Sequence, residues 1–189
     1  MPSFPDLSEP LSGSAAALRP AAERDIPEVL IAHQDDPQLY ERLGLERPPS
    51  GAELGRRVER GAGERATGAG VWLTIVAPDG DECCGQLDVH DVDWDHHRAE
   101  MGIWVAPRQR SRGMAADALR LTGRWLLEAC GLERVQLMTE PDNAAMRRAA
   151  RNAGMREEGV LRGYLRERRR RVDVVMLSLI GADLRLVRR

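Results

Sequence analysis

The segment Arg110-Ser-Arg-Gly-Met-Ala115 decides the fold prediction for this chain. It follows an apolar run, Met-Gly-Ile-Trp-Val-Ala at 101–106, and it opens a helix-like run over 115–130. The backbone N–H groups of a tight loop and of a first helical turn have no intrahelical acceptors, and the helix dipole adds partial positive charge there. A strand, an arginine-bearing loop and a helix start in this order therefore predict a binding site for a phosphorylated ligand such as a pyrophosphate.

Three residues of this loop are of types that suit phosphate binding. Gly113 has no side chain, so phosphate oxygens can approach its backbone closely. Arg110 and Arg112 can add charged hydrogen-bond donors. Arginines beside a helix start are also common on solvated surfaces, so the loop by itself leaves that alternative open.

Hydrophobic periodicity on both sides of the loop predicts alternating strands and helices. A helix is expected to begin at a capping box formed by Ser50 and Glu53 and to end near Gly61, followed by a flexible connector over 61–70. The other expected strands are 15–19, 71–76, 84–90, 97–105, 135–139, 155–166 and 172–180, and the other expected helices are 23–33, 38–43, 115–130 and 143–153.

This order of elements predicts an α/β fold. We expect a single three-layer domain over 14–182, with a mixed, mostly antiparallel central sheet and helices on both faces. A chain of 189 residues that is 42% apolar can bury one core of this kind. Residues 1–13 are rich in Pro, Ser and Gly, so we expect a flexible N-terminal tail there.

Composition excludes several classes of protein. No apolar run approaches the roughly 18 residues of a membrane span, and the N-terminus lacks the basic and apolar regions of a signal peptide, so a cytoplasmic protein without a membrane partner is expected. All 28 cationic side chains are arginine, which excludes a lysine Schiff base or a P-loop lysine supplied by this chain. A net charge of -2 gives no global attraction to nucleic acid. Cys83, Cys84 and Cys130 fit neither a disulfide framework nor a zinc knuckle, and buried free thiols are expected.

An ordered set of motifs around the loop resembles a known family. Ala-Glu-Met-Gly-Ile-Trp-Val-Ala-Pro at 99–107, followed by R-x-x-G-x-A at 110–115, is similar to the acetyl-CoA site of the GNAT N-acyltransferases, and most of all to their RimJ/RimL-like branch. The resemblance spans about 15–180 and implies a GNAT-like fold. Further matching motifs are Leu18-Arg19-Pro20 with Asp25, Gly131-Leu-Glu-Arg-Val-Gln-Leu, Asp142-Asn143, Asn152-Ala-Gly154-Met155, Glu158-Gly159-Val-Leu-Arg162 and Arg171-Val-Asp173.

The resemblance implies that acetyl-CoA is the co-substrate and indicates which residues hold it. The pantetheine arm would bond to the backbone of Ile103, Trp104 and Val105, where the strand splays from its neighbour, with the Val105 N–H as the oxyanion donor. Asn143 would cap the next helix, contact the acetyl-CoA arm, or do both. The pyrophosphate would lie over the loop and helix start, formed by Arg110, Ser111, Arg112, Gly113, Met114 and Ala115.

Two residues are candidates for proton transfer. Glu100 is the candidate general base, directly or through water, and the alternative is a hydrogen bond or salt bridge across the sheet. Many relatives have a serine three residues after the asparagine, which can protonate the leaving thiolate, whereas this chain has Met146. Tyr164 is the candidate substitute acid, and the alternative is a half-buried structural tyrosine. Further departures from the family pattern are Ser111, Asn152 and Met155, which replace frequent Gly, Lys and Phe residues.

The acidic segment at 88–97 has the alternating carboxylates of a calcium loop. His96 and Gly102 stand where that loop requires Gly and Glu, so no metal site is predicted. We instead expect a hairpin that lines the substrate side, where His90 and the acidic residues could bind a cationic amine.

The expected function is direct transfer of an acetyl group from acetyl-CoA to a primary amine. The acceptor could be a protein N-terminus, including that of a ribosomal protein, or a small-molecule amine, and a homodimer is one assembly that stays open. Two alternatives also stay open. Met146 suggests a catalytically weak acyl-CoA-binding or regulatory module, and the basic run at 166–171, otherwise a solvated hairpin tip, suggests a ribosome- or RNA-associated protein.

Overall fold

A computed structural model describes residues 3–167 and 170–187 and shows one eight-stranded sheet in this part of the chain. The strands are β1 (Leu11–Ser12), β2 (Ala17–Pro20), β3 (Val71–Val76), β4 (Gly85–Asp93), β5 (Arg98–Val105), β6 (Arg134–Thr139), β7 (Arg156–Glu167) and β8 (Arg170–Ile180). Their order across the sheet is β1-β2-β3-β4-β5-β6-β8-β7. Only the β5–β6 pair is parallel among the described strands, so the predicted mixed, mostly antiparallel sheet is confirmed.

Helices cover both faces of the sheet, as predicted. They are α1 (Ile26–Asp35), α2 (Leu39–Arg42), α3 (Gly51–Thr67), α4 (Met114–Glu128), α5 (Ala144–Asn152) and α6 (Gly181–Val187). Side chains alternate between the faces along each strand. On β5, Ile103 joins a core that includes Leu119 of α4, whereas Trp104 joins a second cluster with Val29 of α1 and Leu54 of α3. Two apolar layers therefore hold the helices against one sheet. Within the described residues, none of the helices combines the length and the apolar character needed to cross a bilayer.

A buried ion pair explains the Leu18-Arg19-Pro20 and Asp25 motif. Arg19 Nη2 lies 2.7 Å from Asp25 Oδ1, and Thr74 on β3 donates to Asp25 Oδ2 at 2.6 Å. Burial opposes ionisation of Asp25, but the hydrogen bonds from Arg19 and Thr74 hold its pKa below the usual value. The motif therefore joins β2, the 3-10 turn Glu23–Asp25 and β3 into one unit.

The third helix is longer than predicted. Its capping box is confirmed, because Ser50 accepts from the Glu53 N–H and Glu53 accepts from the Ser50 N–H. The predicted end near Gly61 and the connector over 61–70 are wrong, since α3 continues to Thr67 and ends at Gly68 with a φ of 72°. Glycine inside a helix costs about 1 kcal/mol relative to alanine, so the glycines weakened the sequence signal without breaking the helix.

The N-terminal segment also differs from the flexible tail that its composition predicts. Phe4 and Leu7 are buried in the main core, and Leu11 and Ser12 pair with Leu18 and Ala17 of β2. Phe4, Leu7 and Leu11 are separated by Pro, Ser and acidic residues, a composition typical of loops, so only the packing partners reveal this order. Met1 and Pro2 lie outside the described residues.

Candidate active site

A gap opens between β5 and β6 where their parallel pairing stops. The paired residues end at Glu100 and Gln136. The Ala106 N–H donates to the Cys84 carbonyl of the β4 side at 2.9 Å, and backbone groups alternate in direction along a strand. The N–H and carbonyl of Val105, and those of Ile103, therefore face the gap. Ile103 and Val105 thus expose backbone hydrogen-bonding groups along the gap, and their contact with an acyl-carrying arm stays a prediction.

Trp104 is placed differently from its two neighbours. It pairs with Gln86 of β4, so its backbone edge faces β4 by the same alternation. Its side chain is buried in the cluster under α1 and α3. The Trp104 side chain packs between β5 and the helices α1 and α3, and its backbone groups do not point into the gap.

The predicted phosphate-binding loop lies directly after β5. A 3-10 turn, Pro107–Gln109, leads into it, and Ser111 and Gly113 have left-handed φ values of 65° and 80°. Gly113 precedes α4, whose first turn exposes the N–H groups of Met114 and Ala115. The Met114 side chain is buried in the core and anchors this turn. The loop and helix start therefore present backbone donors at the open end of the gap, as an anion site requires.

Arg110 holds the loop in position. Its Nε donates to the Val105 carbonyl at 3.1 Å, and its Nη2 lies 2.6 Å from Asp36 Oδ2. Burial opposes ionisation of Asp36, but the hydrogen bond from Arg110 keeps its pKa below the usual value. The Arg112 side chain instead bonds Gln109 Oε1 at 2.9 Å on the exposed side. Arg110 is thus engaged by a carboxylate and a backbone carbonyl, whereas the contact of Arg112 is with a neutral amide oxygen.

Asp117, in the first turn of α4, joins this helix to the residues that lead into β2. Its Oδ2 accepts the Ala15 N–H at 2.7 Å and the Ala16 N–H at 3.1 Å. A side chain added at Gly113 would begin 3.7 Å from the Ala15 Cβ. The entry to β2 therefore packs beside the loop.

Asn143 takes its predicted structural role at the start of α5. Its Oδ1 accepts the Met146 N–H at 3.1 Å, which satisfies one of the free donors of that helix. The Met146 side chain packs against the main core. A thioether has no proton to donate, so no acid is available at this position.

A cleft of about 640 Å³ lies beside the gap and contains both predicted catalytic residues. Glu100 on β5 and Tyr164 on β7 line it, with Trp94 and Gln136 among the other lining residues. Glu100 is 8% exposed, whereas Tyr164 is 49% exposed. Tertiary structure thus brings a nearly buried carboxylate and an accessible phenol to one cleft.

His90 faces Glu100 across the β4–β5 pair. Its Nε2 lies 3.7 Å from Glu100 Oε1, and its Nδ1 lies 2.9 Å from Asp88 Oδ2, although Nδ1 makes no hydrogen bond of acceptable geometry. Asp88 first, and then Glu100, raise the pKa of His90 to about 10 against the opposing effect of burial. On the other side, Gln136 Nε2 donates to Glu100 Oε2 at 3.2 Å.

The acidic segment forms the expected hairpin on the cleft. A bulge separates His90 from Asp93, and Asp91 has a φ of 47°. The His96 N–H donates to Asp93, which also pairs with Arg98, and these contacts lower the pKa of Asp93 to about 2. One ligand atom each of His90, Asp91 and Glu100 lies within 4.8 Å of the others. A cation bound there would have to displace the proton that Asp88 and Glu100 hold on His90, because a protonated imidazole has no lone pair for a metal.

Tyr164 stands at a bulge in β7. Pairing with β8 shifts between Leu161 and Leu165, and Gly163 has a φ of 58°. The Gly163 N–H donates to Asp173 Oδ1 at 2.7 Å, and Arg171 Nη1 donates to the carbonyls of Gly163 and Tyr164 at 3.3 Å each. Arg171 therefore supports the bulge that turns Tyr164 toward the cleft. Arg168 and Arg169 of the basic run lie outside the described residues.

The cysteines are unsuited to nucleophilic catalysis. Cys83 and Cys84 are buried and Cys130 is half-buried, and all three are free thiols. Burial raises the pKa of Cys83 and of Cys130 to about 12, so the reactive thiolate is scarce near neutral pH.

Comparison with known proteins gives a consistent result. Residues 16–156 match the model of the acetyltransferase (GNAT) domain family. The uncharacterized N-acetyltransferase YoaA of Bacillus subtilis is 24% identical over 163 residues, which are 86% of this chain and 92% of that protein. Two other curated relatives are covered over 62% and 55% of their length.

Solved structures show the same fold. The RimJ protein of Mycobacterium smegmatis, in complex with CoA-disulfide, has a TM-score of 0.75 and 24% identity, and the match covers 95% of this chain and 92% of that one. A Salmonella typhimurium acetyl transferase that modifies the N-terminal serine of ribosomal protein L7/L12 has a TM-score of 0.77 and 18% identity, over 91% and 99% of the two chains. The three-layer fold and the family resemblance read from the motifs are thereby confirmed.

Proposed function

Because the chain belongs to the GNAT family of acetyltransferases, we propose that it transfers an acetyl group from acetyl-CoA to a primary amine. One observation carries this proposal. Strand β5 presents the Val105 backbone to the gap near its end and the Glu100 carboxylate to the cleft near its start. A thioester lying along the gap would therefore have its carbonyl beside the cleft through which an amine approaches.

In this proposal acetyl-CoA is held mainly by backbone groups. The pantetheine arm lies against Ile103 and Val105, and its pyrophosphate accepts N–H bonds from the loop and the first turn of α4. Arg112 adds charge, while Arg110 acts by fixing the loop through Val105 and Asp36. This division of roles is supported by the contacts that already occupy Arg110.

The proposed reaction is a direct transfer. The amine nitrogen attacks the thioester carbon, a C–N bond forms, the C–S bond breaks, and the electron pair leaves on sulfur. Val105 is the predicted oxyanion donor, but its N–H lies five residues, or about 16 Å, along β5 from Glu100. The gap-facing N–H of Ile103 is nearer to the cleft, and it is the donor that we propose for the oxyanion on the carbonyl oxygen. Glu100, directly or through water, takes the proton that the amine loses, and Tyr164 supplies one to the thiolate. The raised pKa values of Cys83 and Cys130 argue against a covalent acyl-cysteine intermediate.

The acceptor is an amine that is positively charged in solution. Asp91, Asp93, Asp95 and Glu100 line the cleft together with Arg98. These four carboxylates outnumber the nearby cations Arg98 and His90, so the local field attracts an ammonium group. We propose that both N-terminal peptides and small amines be tested. A ribosomal-protein N-terminus beginning with serine is the first candidate, because the Salmonella relative modifies such a residue. A cytoplasmic location and a homodimeric assembly stay predictions.

Met146 favours one second candidate, an acyl-CoA-binding module with little turnover. Its side chain is partly buried against the core and has no proton to donate. The alternative of RNA binding has less support, since Arg171 donates to the carbonyls of Gly163 and Tyr164.

The deciding experiment measures free-thiol release from acetyl-CoA with a panel of amines, and mass spectrometry of the acceptor. Calorimetry with CoA accompanies it. Binding with amine-dependent thiol release and a gain of one acetyl group on the acceptor supports the enzyme. Binding without turnover across the panel supports the module, and failure to bind CoA rejects both.

A further inference from the structure

We propose that Phe4 is a positioning residue of the acceptor site, acting through Trp94. This inference rests on the proposed function, because it takes the cleft beside Glu100 to be the place where the amine enters. Phe4 is the single phenylalanine of the chain and lies in a segment whose composition predicts a loose tail. In the structure it is 5% exposed.

Phe4 is packed between two tryptophan rings. Its ring centroid lies 5.3 Å from that of Trp94, in a tilted arrangement, and 5.7 Å from that of Trp125, in a stacked arrangement. Both distances fall in the favourable range for aromatic pairs. Trp125 belongs to α4 and is buried in the main core. Phe4 therefore connects the hairpin that bears Trp94 to a fixed helix.

The backbone of the segment is fixed as well. The Phe4 N–H donates to the Arg65 carbonyl near the end of α3 at 3.3 Å, and Arg65 Nη1 lies 3.4 Å from Asp6 Oδ1. Leu7 is buried three residues later. These contacts hold the Phe4 ring in one place, so Phe4 limits how far the neighbouring Trp94 ring can move.

Trp94 forms part of the wall of the acceptor cleft. It stands in the β4–β5 hairpin beyond the bulge that follows His90, where the regular pairing has shifted. Its Nε1 donates to the Gly68 carbonyl at 2.8 Å, and the Phe4 ring packs against it. One hydrogen bond leaves a ring free to tilt about that bond, whereas a second contact from Phe4 fixes its plane.

The consequence is that Phe4 sets the width of the cleft without touching the acceptor. Removing its ring leaves a space behind Trp94, and the hairpin residues 91–97 gain freedom to move away from Glu100. An acceptor then binds with poorer orientation, although the gap and the loop that hold acetyl-CoA are unchanged.

The test compares Phe4→Ala and Phe4→Leu with a control variant, Leu7→Ala. Leu7 is buried in the same segment and has no ring to stack on Trp94. We expect Phe4→Ala to raise the KM for the acceptor about tenfold while the Kd for CoA changes by less than about twofold. Phe4→Leu, which keeps apolar volume, restores most of the affinity, and Leu7→Ala lowers thermal stability without changing the acceptor KM.

Hydrogen exchange provides a readout that needs no turnover. Faster exchange of the 91–97 amides in folded Phe4→Ala, with α4 unchanged, supports the proposal. If the alanine variant does not fold, Phe4→Val, which removes the ring and keeps part of the apolar volume, replaces it in both measurements. Unchanged exchange and acceptor KM in the folded alanine or valine variant would overturn the proposal. Failure of the native protein to acetylate any amine rejects the proposed function, while the exchange experiment still decides whether Phe4 holds the hairpin.

Discussion

His90 and Glu100 lie directly opposite each other on β4 and β5, with the His90 Nε2 3.7 Å from Glu100 Oε1. Glu100 is nearly buried, and it also accepts a hydrogen bond from Gln136. The carboxylate thus lies between a cation on one strand and an amide donor on the next, at the wall of the cleft. Both predicted alternatives for Glu100, a base and a cross-sheet partner, are compatible with this geometry.

The His90 contacts predict that stability falls at alkaline pH. The folded-state pKa of about 10 exceeds the usual value of 6.5, so the stabilisation is fully present below about pH 6.5 and is lost as pH rises toward 10. Because 42% of the His90 side chain is exposed, solvent screens the pairs and the expected loss is about 1 kcal/mol or less. Urea unfolding at pH 6, 8 and 10 measures it. His90→Gln should flatten this dependence, whereas His96→Gln should not, and equal slopes in both variants would contradict the assignment.

Replacing Glu100 tests the base. Glu100→Gln keeps the shape and removes the proton acceptor, so turnover should fall about 10²-fold or more, while CoA affinity by calorimetry stays near that of the native protein. Glu59→Gln on the exposed face of α3 is the control. Near-normal turnover in a folded Glu100→Gln protein would leave Glu100 a structural residue.

Gly113 tests the placement of the pyrophosphate. A β-branched residue is strained at its φ of 80° and adds bulk where phosphate approaches, so Gly113→Val should weaken CoA binding about tenfold or more. Gly44 offers a matched control, because its φ is 69° and the space around it is open. Gly44→Val should cost similar stability and leave CoA affinity intact. Equal affinities for the two folded variants would place the pyrophosphate elsewhere.

Tyr164 is the last residue to test. If it protonates the thiolate, its hydroxyl lies about 3 to 3.5 Å from the CoA sulfur in the bound state, and Tyr164→Phe should slow turnover with little effect on stability. Tyr40→Phe is the matched control, since Tyr40 is the only other tyrosine and contacts Glu41 on α2. Met146→Ser in the Tyr164→Phe background should recover part of the rate. A CoA-bound structure with Tyr164 turned away from sulfur would exclude the role.

Local patterns predicted much of this fold, and their errors have local causes. Strand β3 is apolar except for Thr74, and four of its six residues are β-branched; the Ser50–Glu53 capping box marks a helix start, so both elements are predictable from sequence. The end of α3 was misplaced, because glycines at 61 and 63 look like a break. The left-handed Gly68 ends the helix, and its effect depends on a backbone conformation that composition does not reveal.

In the candidate site, too, some features follow from local sequence and others depend on residues far apart in the chain. The strand, the loop at 110–115 and the following helix are predicted correctly, since their order is encoded within one segment; phosphate binding by the loop stays a prediction. The engagement of Arg110 by Asp36 was not readable, because the two residues are 74 positions apart. The motif predicts that Trp104 binds the pantetheine arm together with Ile103 and Val105. Strand alternation instead turns the backbone N–H and carbonyl of Trp104 toward β4.

Short-range periodicity and motif spacing are enough to predict the family, most of the strands and helices, and the loop at 110–115 for which phosphate binding is proposed. The set of side chains that share the cleft depends on the tertiary structure. Sheet pairing places His90 opposite Glu100 and Glu100 opposite Gln136, a β7 bulge brings in Tyr164, and Phe4 packs on Trp94 from the other end of the chain. Contacts between residues far apart in sequence follow from strand register and core packing, and no local pattern specifies them.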